Sequence, residues 1–282
     1  MEWLPFASKS LDVLVRAILS PWTLGVLLCA VAVLGDFLLR RRWVQCYEHA
    51  CFLVRAGQIG RAVEMFQSAA RWSYGPYRTG ALAGVGICYM QQSEYVAAAA
   101  VLEPLMTRRL LHSMRVLEVA LPGHFALCLA MLGDTRRAKH WLEEAWSRCD
   151  GVVSLMVLPE VAILCRDGHV GMALKMMEDW WEVLRAEGLV CNRLRLFRAY
   201  AQRKVDPERN ADLVFMTLLS LAPFPKEELA FCREHWPVLA DFMGMGDELV
   251  ARHEAERASR NAERALAFKD KGPPKPEDDI SA

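Results

Sequence analysis

An all-α protein, an α-solenoid of stacked helical hairpins preceded by a single transmembrane helix, is the fold class this sequence predicts. Three observations carry the prediction. Small residues and turn residues recur at intervals of 7, 5 and 7 positions, first at Ala50, Gly57, Ala62 and Ala69. Residues 21 to 39 carry one charge, Asp36, and Arg40, Arg41 and Arg42 follow at once. Runs of alternating β-branched residues, which strands require, are absent.

In chain order, residues 1 to 20 place Leu11, Leu14, Val15, Ile18 and Leu19 on one helical face, with Asp12 and Arg16 opposite. Two readings are open, a tail or a helix lying in a membrane interface. Residues 21 to 43 read as a transmembrane helix with a basic flank, since about 20 apolar residues span a bilayer core. Trp22 and Trp43 fall where interfacial anchors belong, beside Arg40, Arg41 and Arg42. Asp36 lies one turn from those arginines and could pair with them. A buried core helix is the alternative. Ala30-Val31-Ala32 resembles a signal-peptide cleavage site, but the stretch before it has little positive excess and the apolar run continues to Leu39. The basic cluster follows the span, which puts the rest of the chain in the cytoplasm.

The 7, 5, 7 spacing has a physical reason. Seven residues are nearly two helical turns, so the small residue and the turn residue share one side of a first helix. A glycine in the left-handed conformation then ends that helix. The next small residue falls early in a second helix, where it lets two antiparallel backbones come close. The pattern returns at Gly86, Ser93, Ala98 and Leu105, at Ala126, Gly133, Ala138 and Ala145, and at Val161, Gly168, Ala173 and Trp180. The turn positions are 36, 40 and 35 residues apart, which suits helical-hairpin repeats.

These residues resemble the tetratricopeptide repeat. The second unit is nearest, with Leu82, Val85, Gly86 and Tyr89 on its first helix and Ala98 and Leu102 on its second; the first unit has Ala62 and Phe66. The family's first-helix tryptophan is missing, and proline does not close the units in the usual place. The resemblance covers about residues 44 to 184. A degenerate fifth unit keeps the spacing at Ala199, Asp206, Ala211 and Leu218, so the repeats run over 44–222. Residues 223–251 read as capping helices, and 252–282 as a charged helix with a disordered tail. Pro104 shortens the second helix of unit two, Pro122 opens the first helix of unit three, and Pro159 makes the first helix of unit four start late or kink. Residues 107 to 120 read as a basic, helical insertion.

Composition narrows the function. Thirty-four basic residues balance thirty-four acidic ones, so nothing points to nucleic acid. Nine cysteines at irregular spacing read as reduced core thiols rather than a disulfide framework. Cys232 and His235 are three apart, but no second pair completes a metal site. No phosphate-binding glycine loop or Gly-x-Ser-x-Gly is present. The reading is of a protein that is not an enzyme, with no cofactor, no metal and no catalytic residues.

Stacked repeats line a groove with their first helices. The positions expected there are Tyr47, Val54 and Arg55, then Ile87, Met90 and Gln91, then Leu127 and Met131, then Leu158 and Arg166. An apolar, methionine-bearing groove suits a helical or extended segment of a partner protein; the alternative is that the protein's own C-terminal helices fill it. The Lys and Asn with which some family members hold a C-terminal carboxylate are absent here. The resemblance implies a membrane-tethered adaptor, similar to bacterial inner-membrane proteins whose cytoplasmic repeats recruit a protein partner to a membrane complex. Two alternatives remain: a scaffold that self-associates, and a periplasmic chaperone-like protein.

Overall fold

The computed structural model describes residues 21–107, 115–148 and 154–270. The apolar face expected within residues 1–20, the tail 271–282 and the middle of the 107–120 insertion lie outside the described residues. Twelve α-helices and two short 3-10 turns, with no strand, make up the regular structure among the described residues. The chain divides into two compact units, residues 1–88 and 89–282.

In the first unit, α1 runs from Pro21 to Arg55 and α2 from Ile59 to Trp72, and α3, Gly75–Gln91, begins there. The segment expected to cross a membrane and the first repeat helix are one helix. No glycine or proline lies between Asp36 and Ala56, so nothing interrupts the hydrogen-bond ladder at Trp43. Among the described residues no helix is long and apolar enough to cross a membrane. The apolar stretch of described side chains, Gly25 to Leu39, is interrupted by Asp36 and closed by three arginines. Its large side chains from Val26 to Leu38 are nevertheless 54 to 70 % exposed.

Ala50, Ala62 and Ala69 are fully buried where α1 and α2 pack. A Cβ added at Gly84 would lie 2.7 Å from the Phe66 ring, so α3 passes close to α2 there. Trp43, expected as an interfacial anchor, has its side chain buried in the protein. It stacks on Tyr47 at 4.7 Å between ring centres, and its Nε1 donates to the Tyr77 carbonyl at 2.9 Å. The half-polar tryptophan meets its hydrogen-bond need inside the protein rather than at an interface.

The second unit holds α4, Tyr95–Leu102, and then the hairpins α5–α6 (Arg115–Leu132 and Thr135–Ser147), α7–α8 (Val157–Arg166 and Val170–Ala186) and α9–α10 (Asn192–Val205 and Ala211–Leu221). The last two helices are α11, Lys226–His235, and α12, Pro237–Asp270. Each hairpin closes on itself, and α7 packs beside both α5 and α9.

All four turn positions are left-handed: Gly57, Ser93, Gly133 and Gly168 have φ of 74°, 63°, 98° and 82°. Each is followed by the same helix-ending bond, in which the next N–H reaches back five residues. Gln58 bonds to Leu53, Glu94 to Tyr89, Asp134 to Leu129 and His169 to Leu164, at 2.8 to 2.9 Å. Ala98, Ala126, Ala138, Ala145 and Ala173 are fully buried. The fifth turn departs from this pattern. Asp206 is extended, at φ −148°, and its carboxylate accepts from the Arg209 N–H; Ala211 is exposed. A polar turn replaces the glycine one, so the matching intervals there are incidental.

Two further expectations need adjustment, at Pro122 and at residue 251, while Pro104 and Pro159 act as expected. Pro122 lies inside α5, which begins at Arg115 rather than at the proline. Pro104 falls in a 3-10 turn that ends α4, and Pro159 falls in the first turn of α7, where its missing N–H costs nothing. The boundary expected at residue 251 has no counterpart, because α12 contains no glycine or proline after Gly246 to end it. Every residue of α12 from Ala251 to Ala262 is exposed.

The turns differ in one testable respect. A Cβ at Gly168 would meet nothing within 4 Å, whereas one at Gly133 would lie 2.7 Å from the Arg166 guanidinium. Gly168→Ala is expected to lose about 1 kcal/mol from the left-handed backbone alone. Gly133→Ala is expected to lose at least twice that, because Arg166 must also move. Denaturant unfolding of both variants measures the difference, and equal losses would contradict it.

Candidate functional site

The expected groove residues separate into two sets. Tyr47, Val54, Ile87, Leu158 and Arg166 are half-buried, and Arg55 and Gln91 are exposed. Met90, Leu127 and Met131 are buried, Met131 to 1 % exposure, and belong to the core. They cannot meet a partner without unfolding, because the second unit's own chain covers them.

Within the same unit α11 is fastened at both ends. Phe231 packs on Tyr95, at 4.9 Å between ring centres, and Glu228 pairs with Arg193 of α9 at 3.1 Å. At the other end of the helix, Arg166 of α7 donates to the His235 carbonyl and lies 4.9 Å over the Trp236 ring. Arg166 also donates to the Met131 carbonyl at 2.9 Å, tying the end of α5 to the same point. Trp236 packs in turn on Phe197 and Tyr200 of α9. Arg166, expected on the groove border, is therefore an internal clamp on α11.

What stays open lies at the edge of this helix. A cleft of about 590 Å³ is bounded by the α3–α4 turn, the start of α9 and residues 221 to 228. Leu196, Leu221 and Phe224 supply apolar wall, while Gln91, Glu94 and Glu227 stand at its rim. The Phe224 N–H donates to the Asp247 carboxylate at 3.0 Å, which holds that wall against α12.

Arg193 anchors the cleft. It donates to Glu228 and to the Ser93 hydroxyl, both at 3.1 Å, and its guanidinium lies 5.0 Å over the Tyr95 ring. Burial opposes its charge, but Tyr95 and Glu228 more than offset that and raise the group above the ordinary arginine value. Ser93 is the one left-handed turn residue of the four that is not glycine. Its hydroxyl explains the exception, because glycine would leave Arg193 without this acceptor.

Three buried cysteines of this unit are unsuited to chemistry, whereas Cys191, at the cleft, is exposed. Burial pushes Cys128, Cys165 and Cys232 up to about 12, so they stay protonated and inert. Among the described residues no group of three or more His, Cys, Asp or Glu could hold a metal ion.

The first unit has a separate polar collar around Arg40–Trp43. Arg40 Nε pairs with Asp36 at 2.6 Å, and Arg40 lies 5.8 Å over the Tyr77 ring. Arg42 lies 5.5 Å over Trp72, and Arg41 is exposed. The expected pairing of Asp36 with the basic cluster is thus present. Trp22 lies in α1, and its side chain is outside those described.

Sequence reasoning missed Arg193, Glu228 and the aromatic residues Trp72, Tyr74 and Tyr77. Two signals were available: a serine where glycine is the ordinary turn residue, and three aromatic residues within six positions beside Gly75-Pro76. Comparisons with protein-family models, with curated proteins and with solved structures find no match for the chain.

The Arg193–Glu228 pair makes a stability prediction. Arg193→Met strands a carboxylate in a half-buried site and is expected to cost about 3 kcal/mol. The double variant Arg193→Met, Glu228→Leu is expected to recover most of that loss. Denaturant unfolding of the single and double variants tests the coupling, and additive losses would contradict it.

Proposed function

We propose that this chain is a membrane-tethered adaptor, a stack of tetratricopeptide-like hairpins that holds a segment of a partner protein at a membrane complex. One observation carries the tether: the exposed apolar side chains of α1 continue without a joint into the first hairpin. A solvent-facing apolar surface of that length is not ordinarily left to water. Gly25 to Leu39 rises about 22 Å, and counting from Pro21 the uncharged run, Asp36 apart, rises about 28 Å, against a bilayer core of about 30 Å. Asp36 is compatible with insertion because Arg40 and Tyr74 bind it near the interface end. The basic flank then puts the repeats on the cytoplasmic side of a bacterial inner membrane.

The partner site is the edge cleft rather than the inner face. Arg193 is already neutralised by Glu228, so the exposed Glu94 and Glu227 set the rim charge. That chemistry favours an extended, basic segment carrying an apolar side chain for the Leu196 and Phe224 wall. The competing reading is a self-assembling scaffold, and the exposed stretch of α12 from Ala251 to Ala262 favours it.

Affinity purification from detergent, run on the parent and on Glu94→Lys, Glu227→Lys, separates these readings. The adaptor predicts another protein at fixed ratio with the parent, reduced at least tenfold in the variant at an unchanged melting midpoint. A partner retained by the variant contradicts the cleft. Recovery of this chain alone, with a multimer in light scattering, supports the scaffold.

A further inference from the structure

Within the first unit, the turn between α2 and α3 folds back along α1. Trp72 ends α2, Ser73 and Tyr74 form the turn, and α3 begins at Gly75. The Tyr74 hydroxyl donates to the Asp36 carboxylate, so the turn reaches the level of Asp36. Asp36 lies four residues before Arg40, about 6 Å of helix rise towards the apolar end. At that level Phe37, Leu38 and Tyr74 are 58, 54 and 54 % exposed.

The depth of this turn is fixed by α1, which passes the level of Asp36 and Arg40 without a break. Any surface that takes up the Val26–Leu38 side chains must therefore meet Tyr74 as well. The side chains gathered here match a phospholipid headgroup layer. Tyr74 presents an exposed apolar ring with a polar tip, the type that settles at the membrane–water boundary, and the half-buried Trp72 and Tyr77 back it against the Trp43 cluster. Arg40, Arg41 and Arg42 are exposed about 6 to 9 Å further along the axis, away from the apolar end, and can meet phosphates. Below them the exposed side chains are apolar: Val33, Leu34, Phe37 and Leu38.

We propose that the Trp72–Tyr74 turn is a second membrane contact, which enters the headgroup layer of the leaflet that α1 crosses and holds the first hairpin against the bilayer. This rests on the reading of residues 21–39 as a membrane anchor. A single helix would leave the hairpin free to tilt and rotate. Two contacts on one rigid hairpin, joined by the Tyr74–Asp36 bond and the tilted ring contact of Trp43 and Tyr77, fix its orientation.

Photocrosslinking of the full chain, reconstituted in vesicles of phosphatidylethanolamine and phosphatidylglycerol, tests the contact. Benzoylphenylalanine replaces Val31, Tyr74 or Phe52 in turn. Phe52 is a matched control, because it is 63 % exposed on the same helix but sixteen residues beyond Asp36, about 24 Å along the axis. The expected result is lipid adducts at positions 31 and 74, and at least tenfold fewer at 52. Adducts at 31 with only the Phe52 level at 74 would overturn the second contact and leave the anchor standing. Crosslinks from 74 to protein alone would also overturn it. No lipid adduct at 31 would overturn the anchor and the contact with it.

Discussion

Close approach between paired helices governs this molecule. Buried alanines at the crossings, Ala62, Ala98, Ala138 and Ala173, let antiparallel backbones come close enough for the neighbouring side chains to interlock. The left-handed turns at Gly57, Ser93, Gly133 and Gly168 aim the second helix of each pair back along the first. Alanine contributes little apolar area by itself, so the energy comes from what it permits. Phe66 lies against bare Gly84, and Arg166 reaches the Met131 carbonyl across the space beside Gly133.

That last contact links hairpin geometry to the fate of the inner face. Arg166 gains its second carbonyl acceptor, that of His235, and the Trp236 ring only when α11 is in place. Glu228 and Arg193 fasten the other end of the same helix. A helix held at both ends by buried cations, with Phe231 on Tyr95 between them, is a fixed part of the core. Met90, Leu127 and Met131 thereby belong to the core, and the open cleft lies at the polar edge.

Much of the fold was legible in the sequence, because it depends on local rules. Left-handed turns require glycine or a residue with another reason to be there, and helix crossings require small side chains. Both leave marks at fixed spacing. The marks failed at Asp206, where a side-chain-capped turn satisfied the same intervals by other means. The candidate site was far less legible. Met90, Leu127 and Met131 sit on the expected face, but they are buried, and burial by segments distant in the chain leaves no mark in the local spacing. Trp43 misled for a similar reason. Its flank of arginines suggests an interface, while its hydrogen-bond partner, the Tyr77 carbonyl, is thirty-four residues away.

The unbroken α1 couples the two ends of the first unit mechanically. Nothing along it between Asp36 and Ala56 can act as a hinge, so an orientation set at the apolar end is transmitted to the hairpin. The claim that α11 is a fixed part of the second unit is tested most directly by amide hydrogen exchange on the intact chain. The account predicts that the amides of Leu229 to Cys232 are protected as strongly as those of Ala162 to Cys165, and at least a hundredfold more than those of Ala255 to Ala262 on the exposed part of α12. Exchange in α11 as fast as in that exposed stretch would contradict it, since the helix would then lift away from Arg166, Arg193 and Tyr95.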